Sequence, residues 1–452
     1  MAGPYYVDLS IPYSGTHVST DGSAEMPWGG PTGLQRAKGA AAAGDTIYVR
    51  NAADPLDNTD LSGMWKVPLA STTNLVITDL VTIDAAGENV TARVGVIVTD
   101  DYIIVEHVSG GDLAAAGAAD TITSAPGGLN STLDGTPTQP GLLIHSDFCA
   151  SGTTAAPIIV QGVANDWTTH EAAYLECTGA LNGITTDGVS YWQLRHLAIQ
   201  SPEGAGIWKV SNANVYGWIF DHVTVDDAGA EGWKNSGYFY AAPFIDCEAT
   251  NNAADGIANA PVYATIIRLV CSGNGVDGIG SLTDSGTVID SLIVNNDGDG
   301  VVMSHNGCLI KNCIIDGNGS DGVAISNGRY GNVIIDNRIT NNGAFGVQTG
   351  DSGQGHFLDG NVFIGNASGT VNGVSCGPND HGPVGDTDIP TEANRDVTAD
   401  GYTDDAGGDY SLVSDATLRR EAVTIGSTTF YKTAGLSPPD RPRIPRMIGG
   451  GT

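Results

Sequence analysis

Asn252-Ala253-Ala254-Asp255-Gly256-Ile257 is followed by Asn274-Gly275-Val276-Asp277-Gly278-Ile279, then by Asn296-Asp297-Gly298-Asp299-Gly300-Val301, Asn318-Gly319-Ser320-Asp321-Gly322-Val323 and Asn342-Gly343-Ala344-Phe345-Gly346-Val347. The glycines step by 22, 22, 22 and 24 residues, and a fixed period of this size marks a chain of stacked repeats. Between the phrases lie short β-branched runs, such as Val288-Ile289 with Leu292-Ile293-Val294, and Val333-Ile334-Ile335 with Ile339. They are too short for helices, and Gly and Asn bound them on both sides, so they read as strands.

These features predict an all-β, right-handed parallel β-helix in which each repeat of about 22–26 residues is one coil. There is no LxxLxL frame and no GGxGxD nonapeptide, which sets the leucine-rich and RTX solenoids aside. Coils ~4.8 Å apart turn each repeat position into a column of like side chains. Ile257, Ile279, Val301, Val323 and Val347 then stack as core, while Asn252, Asn274, Asn296, Asn318 and Asn342 form an amide ladder at a corner. The glycines are expected to supply a tight turn with positive φ. Traced backward, the turn glycine falls at 183, 206 and 232 as well.

The chain has 452 residues, with Lys+Arg 19 against Asp+Glu 51 and a net charge of -32. Such a surface repels nucleic acid and anionic membranes, so neither is an expected partner. Seven scattered cysteines without CxxC spacing read as small apolar core groups. No stretch is long and apolar enough to span a bilayer, and the start, Met1-Ala2-Gly3-Pro4, carries no signal-peptide pattern.

Four regions are expected. Residues 1–50 form an N-terminal cap, with a short Ala-rich helix before the strand Thr46–Arg50 and Asp45 closing the turn between them. Residues 51–175 are irregular coils with a loop insertion near 110–141, and 176–375 are regular coils. Residues 376–452 are an extended tail in which Arg441, Arg443 and Arg446 make a basic docking arm for an acidic surface.

Two charged columns follow from the repeat. One, outward-facing, is read as Arg195, Asp221, Asp246, Arg268, Asp290, Lys311, Asp336 and Asp359. The other, Glu231, Asp255, Asp277, Asp299 and Asp321, precedes the turn glycines. Its like charges repel by ~1 kcal/mol per adjacent pair even in water. Those acids must splay, titrate high or share a cation; a Ca²⁺ ion there is the one cofactor the sequence suggests.

The N-terminal segment and coils resemble right-handed β-helix repeat proteins of the pectate-lyase-like superfamily, which includes pectate lyases, galacturonases, alginate-type lyases and bacteriophage tailspike depolymerases. Trp218-Ile219-Phe220-Asp221-His222 looks like the W-[ILV]-D-H signature of pectate lyases, with Phe220 extra. The R-x-P-x-x-R stretch of those enzymes and the galacturonase motif set are not reproduced. No catalytic set is complete; the nearest candidates are His222, Asp226, Asp227 and Glu231, with Trp208, Trp218, Trp233 and Tyr238–Tyr240 as the one aromatic cluster.

The resemblance, taken with coils poor in catalytic motifs, points away from an enzyme. It implies a structural virion protein of a tailed bacteriophage (a head decoration, fibre or spike component) that contacts other virion proteins or copies of itself, as a homotrimer in spikes and fibres, and a host glycan. The alternatives are a secreted, extracellular polysaccharide lyase or glycoside hydrolase, and a bacterial surface adhesin.

Overall fold

The computed structural model describes residues 4–372 apart from 10–27, 51–58, 61–63, 77–78, 86, 100, 112, 119, 125–129, 140, 165, 178, 211–212, 238 and 351–355. Beyond 372 it describes the strands Arg395–Asp396, Tyr402–Asp404, Asp409–Leu412, Glu421–Ile425 and Thr428–Lys432. Arg441, Arg443, Arg446 and Cys376 lie outside the described residues.

The repeat winds as a parallel β-helix with three faces. On the first, Pro243–Ile245, Thr265–Ile267, Thr287–Ile289, Leu309–Lys311, Val333–Ile335 and Phe357–Asp359 pair in parallel, one coil on the next. The second face stacks Glu248–Thr250, Val270–Ser272, Leu292–Val294, Ile314–Asp316, Arg338–Thr340 and Val362–Ile364. The third carries the residues after the turn glycines, with Ile257 bridging Trp233 to Ile279 and Val301, Val323 and Val347 continuing the column. All five of these Ile and Val side chains are fully buried in one core. Strands Thr46–Arg50 and Ile158–Gly162 place the first coils well before Gly183.

The asparagine ladder forms as the spacing predicts. Nδ2 of Asn252, Asn274, Asn296, Asn318 and Asn342 donates to Oδ1 of the next asparagine at 2.7–3.0 Å, ending on Asn366. Each Oδ1 also accepts the backbone N–H of the preceding asparagine, so these buried amides are satisfied across coils.

The turn glycines do a different job from the one expected. None of Gly183, Gly206, Gly232, Gly256, Gly278, Gly300, Gly322 or Gly346 has a positive φ. A Cβ on Gly278 would sit 2.6 Å from the Gly300 carbonyl oxygen, 2.7 Å from Ile293 Cγ2 and 2.9 Å from Asn296 Nδ2. The residue is small because the next coil leaves no space. The left-handed positions lie at other corners. His196, His222, Asp246, Arg268, Asp290, Asn312, Asp336 and Gly360 hold φ between 50° and 68° where the first face bends into the second. Asp, Asn, His and Gly tolerate this region best, which explains most of that column.

The outward charged column is therefore corrected by one residue. The register runs Arg195, Asp221, Ile245, Ile267, Ile289, Lys311, Ile335, Asp359. Asp246, Arg268, Asp290 and Asp336 belong to the left-handed corner beside it.

Residues 64–132 are not irregular coils, and 110–141 is not a loop insertion. Six antiparallel strands, Met64–Pro68, Leu80–Ala85, Glu88–Val98, Tyr102–Gly110, Thr121–Ser124 and Asn130–Thr132, make a separate sheet. Trp65, Val67, Val81, Ile83, Val90, Val105 and Ile122 give it a core of its own. It leaves the solenoid after Thr59–Asp60 and returns at Leu142–His145, both paired to the next coil.

The helix Gly30–Ala40 buries Leu34 and Ala37 in the solenoid core. Asp45 closes the following turn by accepting the Ala42 N–H at 2.8 Å. Cys149, Cys177, Cys247, Cys271, Cys308 and Cys313 are free and buried. Burial pushes the Cys247 and Cys313 thiols up to about 12, so they remain protonated apolar groups.

Candidate functional site

The corner column gathers a cluster of outward titratable groups. His222 follows Asp221 at the bend of the strand Ile219–Asp226, and its Nδ1 lies 2.7 Å from Asp221 Oδ1. Its Nε2 lies 3.9 Å from Asp246 Oδ2, on the next coil. Asp246 accepts two hydrogen bonds from Arg268, both at 2.6 Å. Arg195 Nε stands 4.0 Å from Asp221. His196 stacks on His222 with ring centroids 4.5 Å apart, and His170 lies 5.3 Å beyond His196. Burial, then the nearness of His222, holds the His196 pKa below the ordinary imidazole value. Stacking one coil on the next thus lines up a ridge of imidazoles flanked by two acids and two guanidinium groups.

The other candidates named from the sequence are not gathered here. Asp226, four strand residues from His222, is ~13 Å away along the strand and accepts from Thr250 Oγ1 at 2.6 Å and Asn251 Nδ2 at 2.8 Å. Asp227 occupies the next left-handed corner and accepts from Ser201 Oγ at 3.1 Å. Glu231, farther round the coil, pairs with Lys234 at 3.0 Å. Trp218 and Trp233 are core residues, packed with Phe220, Phe239 and Phe244. Trp208 faces outward, its Nε1 donating to Ser236 Oγ at 2.8 Å.

The turn acids neither splay nor stand idle. Oδ1 of Asp255, Asp277 and Asp299 accepts the backbone N–H of the next acid in the column, and Oδ1 of Asp321 accepts that of Phe345, all at 2.7–3.0 Å. Burial first, with neighbouring acids adding, pushes Asp277 up to about 6 and raises Asp255 and Asp321. In these three acids burial and the neighbouring charges both favour the protonated form.

A second cluster escaped the sequence reading. His145 Nδ1 lies 3.0 Å from Asp147 Oδ2 and its Nε2 lies 3.3 Å from Asp187 Oδ2. Tyr102, from the antiparallel sheet, donates its hydroxyl to Asp147 at 3.0 Å. Burial, then the Asp147 charge, raises the phenol far enough to keep it protonated. No local pattern joins residues 102, 145, 147 and 187. The pairing that joins them, His145 opposite Asp187 on the third face, requires the strand register.

The family model for a right handed beta helix region matches residues 203–379. The described residues of this stretch form a right-handed β-helix. Among curated proteins none matches the chain. Of solved structures, the β-helix chain is similar to pectate lyase Pel9A, with 14% identity over 96% of this chain and 95% of that one and a TM-score of 0.45. It is also similar to an alginate lyase from Paenibacillus sp. str. FPU-7, at 12% identity, 76% and 97% coverage and a TM-score of 0.40. The A-module of the Azotobacter vinelandii mannuronan C-5 epimerase AlgE4 gives 15%, 57%, 88% and 0.36. At these values none of their activities carries across.

Proposed function

We propose that this β-helix is a structural, rod-forming protein of a tailed bacteriophage particle, its outer ridge contacting neighbouring proteins or a glycan. The observation that supports this reading is the use of the polar columns. Asparagines, turn acids and Asp226 are engaged in bonds from coil to coil, which stiffen a rod, and a half-buried polar corner repeats on successive coils. Mass spectrometry of purified particles tests it: the chain present in stoichiometric amount supports the reading, and its absence from particles sinks it.

The Tyr102–Asp147–His145–Asp187 cluster favours a second reading, a polysaccharide lyase or hydrolase. It brings an imidazole, two carboxylates and a protonated phenol together at a partly open seam, the kind of set that acid–base chemistry needs. Absorbance of unsaturated products from uronate polymers, abolished in His145→Ala, would establish the lyase; no product from any polymer leaves the structural reading.

A further inference from the structure

We propose that the outer surface of the first face is a self-association interface, through which two copies of this chain pack with their solenoid axes antiparallel. The inference does not depend on the virion reading, because it concerns the chain alone.

Each strand of this face buries one residue and turns the two beside it outward, as strand alternation requires. Phe220, Phe244, Ile266, Val288, Ile310 and Ile334 are the buried ones. The residues after them run Asp221, Ile245, Ile267, Ile289 and Lys311 on successive coils. Those before them are Ile219, Pro243, Thr265, Thr287, Leu309 and Val333, a column without charge. Ile245, Ile267 and Ile289 are only half-buried. Parallel sheets are as a rule covered on both faces, yet this chain of net charge -32 turns an apolar strip outward. Tyr216, Tyr263 and Tyr330, 43%, 55% and 58% exposed, stand at the corner that leads into the same face. Contiguous apolar surface bordered by tyrosines is the composition of an association surface.

The charge pattern names the occupant. Ile267 is the centre of its column, with Ile245 and Ile289 one coil away and Asp221 and Lys311 two coils away on opposite sides. A two-fold axis along the strand of Ile267 reverses the coil order of the second copy. Asp221 then meets the partner's Lys311, Ile245 meets the partner's Ile289, and Ile267 meets the partner's Ile267. A two-fold along the solenoid axis would instead set Asp221 against the partner's Ile219 and Lys311 against the partner's Leu309. Lys311 is exposed and has no ion pair among the described residues, so it is available for this contact. With its two corners the strip is ~20 Å wide and ~30 Å long, about 600 Å² per copy, at the low end for a specific dimer, so the association is reversible.

Sedimentation equilibrium of the full chain, across a micromolar concentration series, is expected to show a mass rising to twice that of the monomer. Ile267→Lys sets two ammonium groups against each other at the two-fold, in a column where Lys311 shows that lysine fits. It should weaken the dimer at least tenfold with an unchanged circular dichroism spectrum. A bulky label on Thr265→Cys, on the same strand, is expected to keep the chain monomeric as well. Asp221→Lys and Lys311→Asp should each weaken association, and the double exchange should restore it. A monomer throughout the series, a mass settling above the dimer, an Ile267→Lys chain that associates as the wild type does, or no recovery in the double exchange would overturn the assignment.

Discussion

Gln35 pairs with Leu143 as a neighbouring strand would: its Nε2 donates to the Leu143 carbonyl at 3.0 Å, and its Oε1 accepts the Leu143 N–H at 3.2 Å. Leu143 lies on the first strand of the third face, where no earlier strand among the described residues satisfies its backbone. A helix side chain closes that edge, which a solenoid must otherwise leave open to association. Gln35→Ala strands a buried N–H, at a cost of about 2 kcal/mol. The expected outcome is a lower denaturation midpoint and faster exchange of the Leu143 amide; equal exchange in both proteins would refute the role.

Lys38, fully buried beside Gln35, donates to Gln35 Oε1 at 2.9 Å and to the Leu143 carbonyl. Burial lowers its amine from 10.5 to about 7. Between those two values the unfolded chain holds the proton and the folded one does not, so stability rises with pH across that window. Lys38→Met is expected to flatten the rise in melting temperature between pH 7 and 9. A slope that survives the substitution must come from another group.

The Asp277 carboxyl shifts the balance in the opposite sense. Raised from 3.8 to about 6, it keeps its proton longer in the folded chain, so stability falls as pH climbs between those values. Asp255 and Asp321 shift the same way. Asp277→Asn retains an acceptor for the Asp299 N–H and removes a charge. Melting curves at pH 7 should show it more stable than the wild type, with the gap closing toward pH 4; a destabilised variant at pH 7 would contradict this.

Two kinds of glycine separate by substitution. Gly278→Ala drives a methyl into the next coil and is expected to cost about 1–3 kcal/mol, because overpacked cores resist adjustment. Gly273→Asn stands at a left-handed corner shared with Asn251, Asn295 and Asn341 and should be close to neutral. Urea midpoints in the reverse order would mean that the turn, not the space, selects glycine at 278.

Much of this architecture could be read from residues 252–347, because a solenoid repeats its environment and so its residue choices. Asn274 and Asn296 needed no coordinates: a polar residue in a strict column beside Ile and Val has to bond its own kind. The glycine column was legible in position but not in cause, since tight approach and positive φ both select glycine. The corner was misread by one residue at Asp246, because a strand end and the left-handed residue after it are equally polar. Val94–Val98 and Tyr102–Val105 are strand-like apolar runs three residues apart, and such runs do not distinguish parallel from antiparallel partners, so the hairpin of Glu88–Val98 with Tyr102–Gly110 could not be told from coils. The His145 cluster depended on that docking and on a register no local pattern encodes.

Spin labels at Thr265→Cys and Phe357→Cys, with Cys376 changed to Ser, measure the stacking directly. The two positions lie on the first face and are connected through Thr287, Leu309 and Val333, one coil per step. Four coil rises predict a narrow pulsed-dipolar distance distribution centred near ~19 Å despite the long stretch of chain between the labels. A broad distribution, or one centred well beyond that distance, would contradict the stacked coils on which every other inference rests.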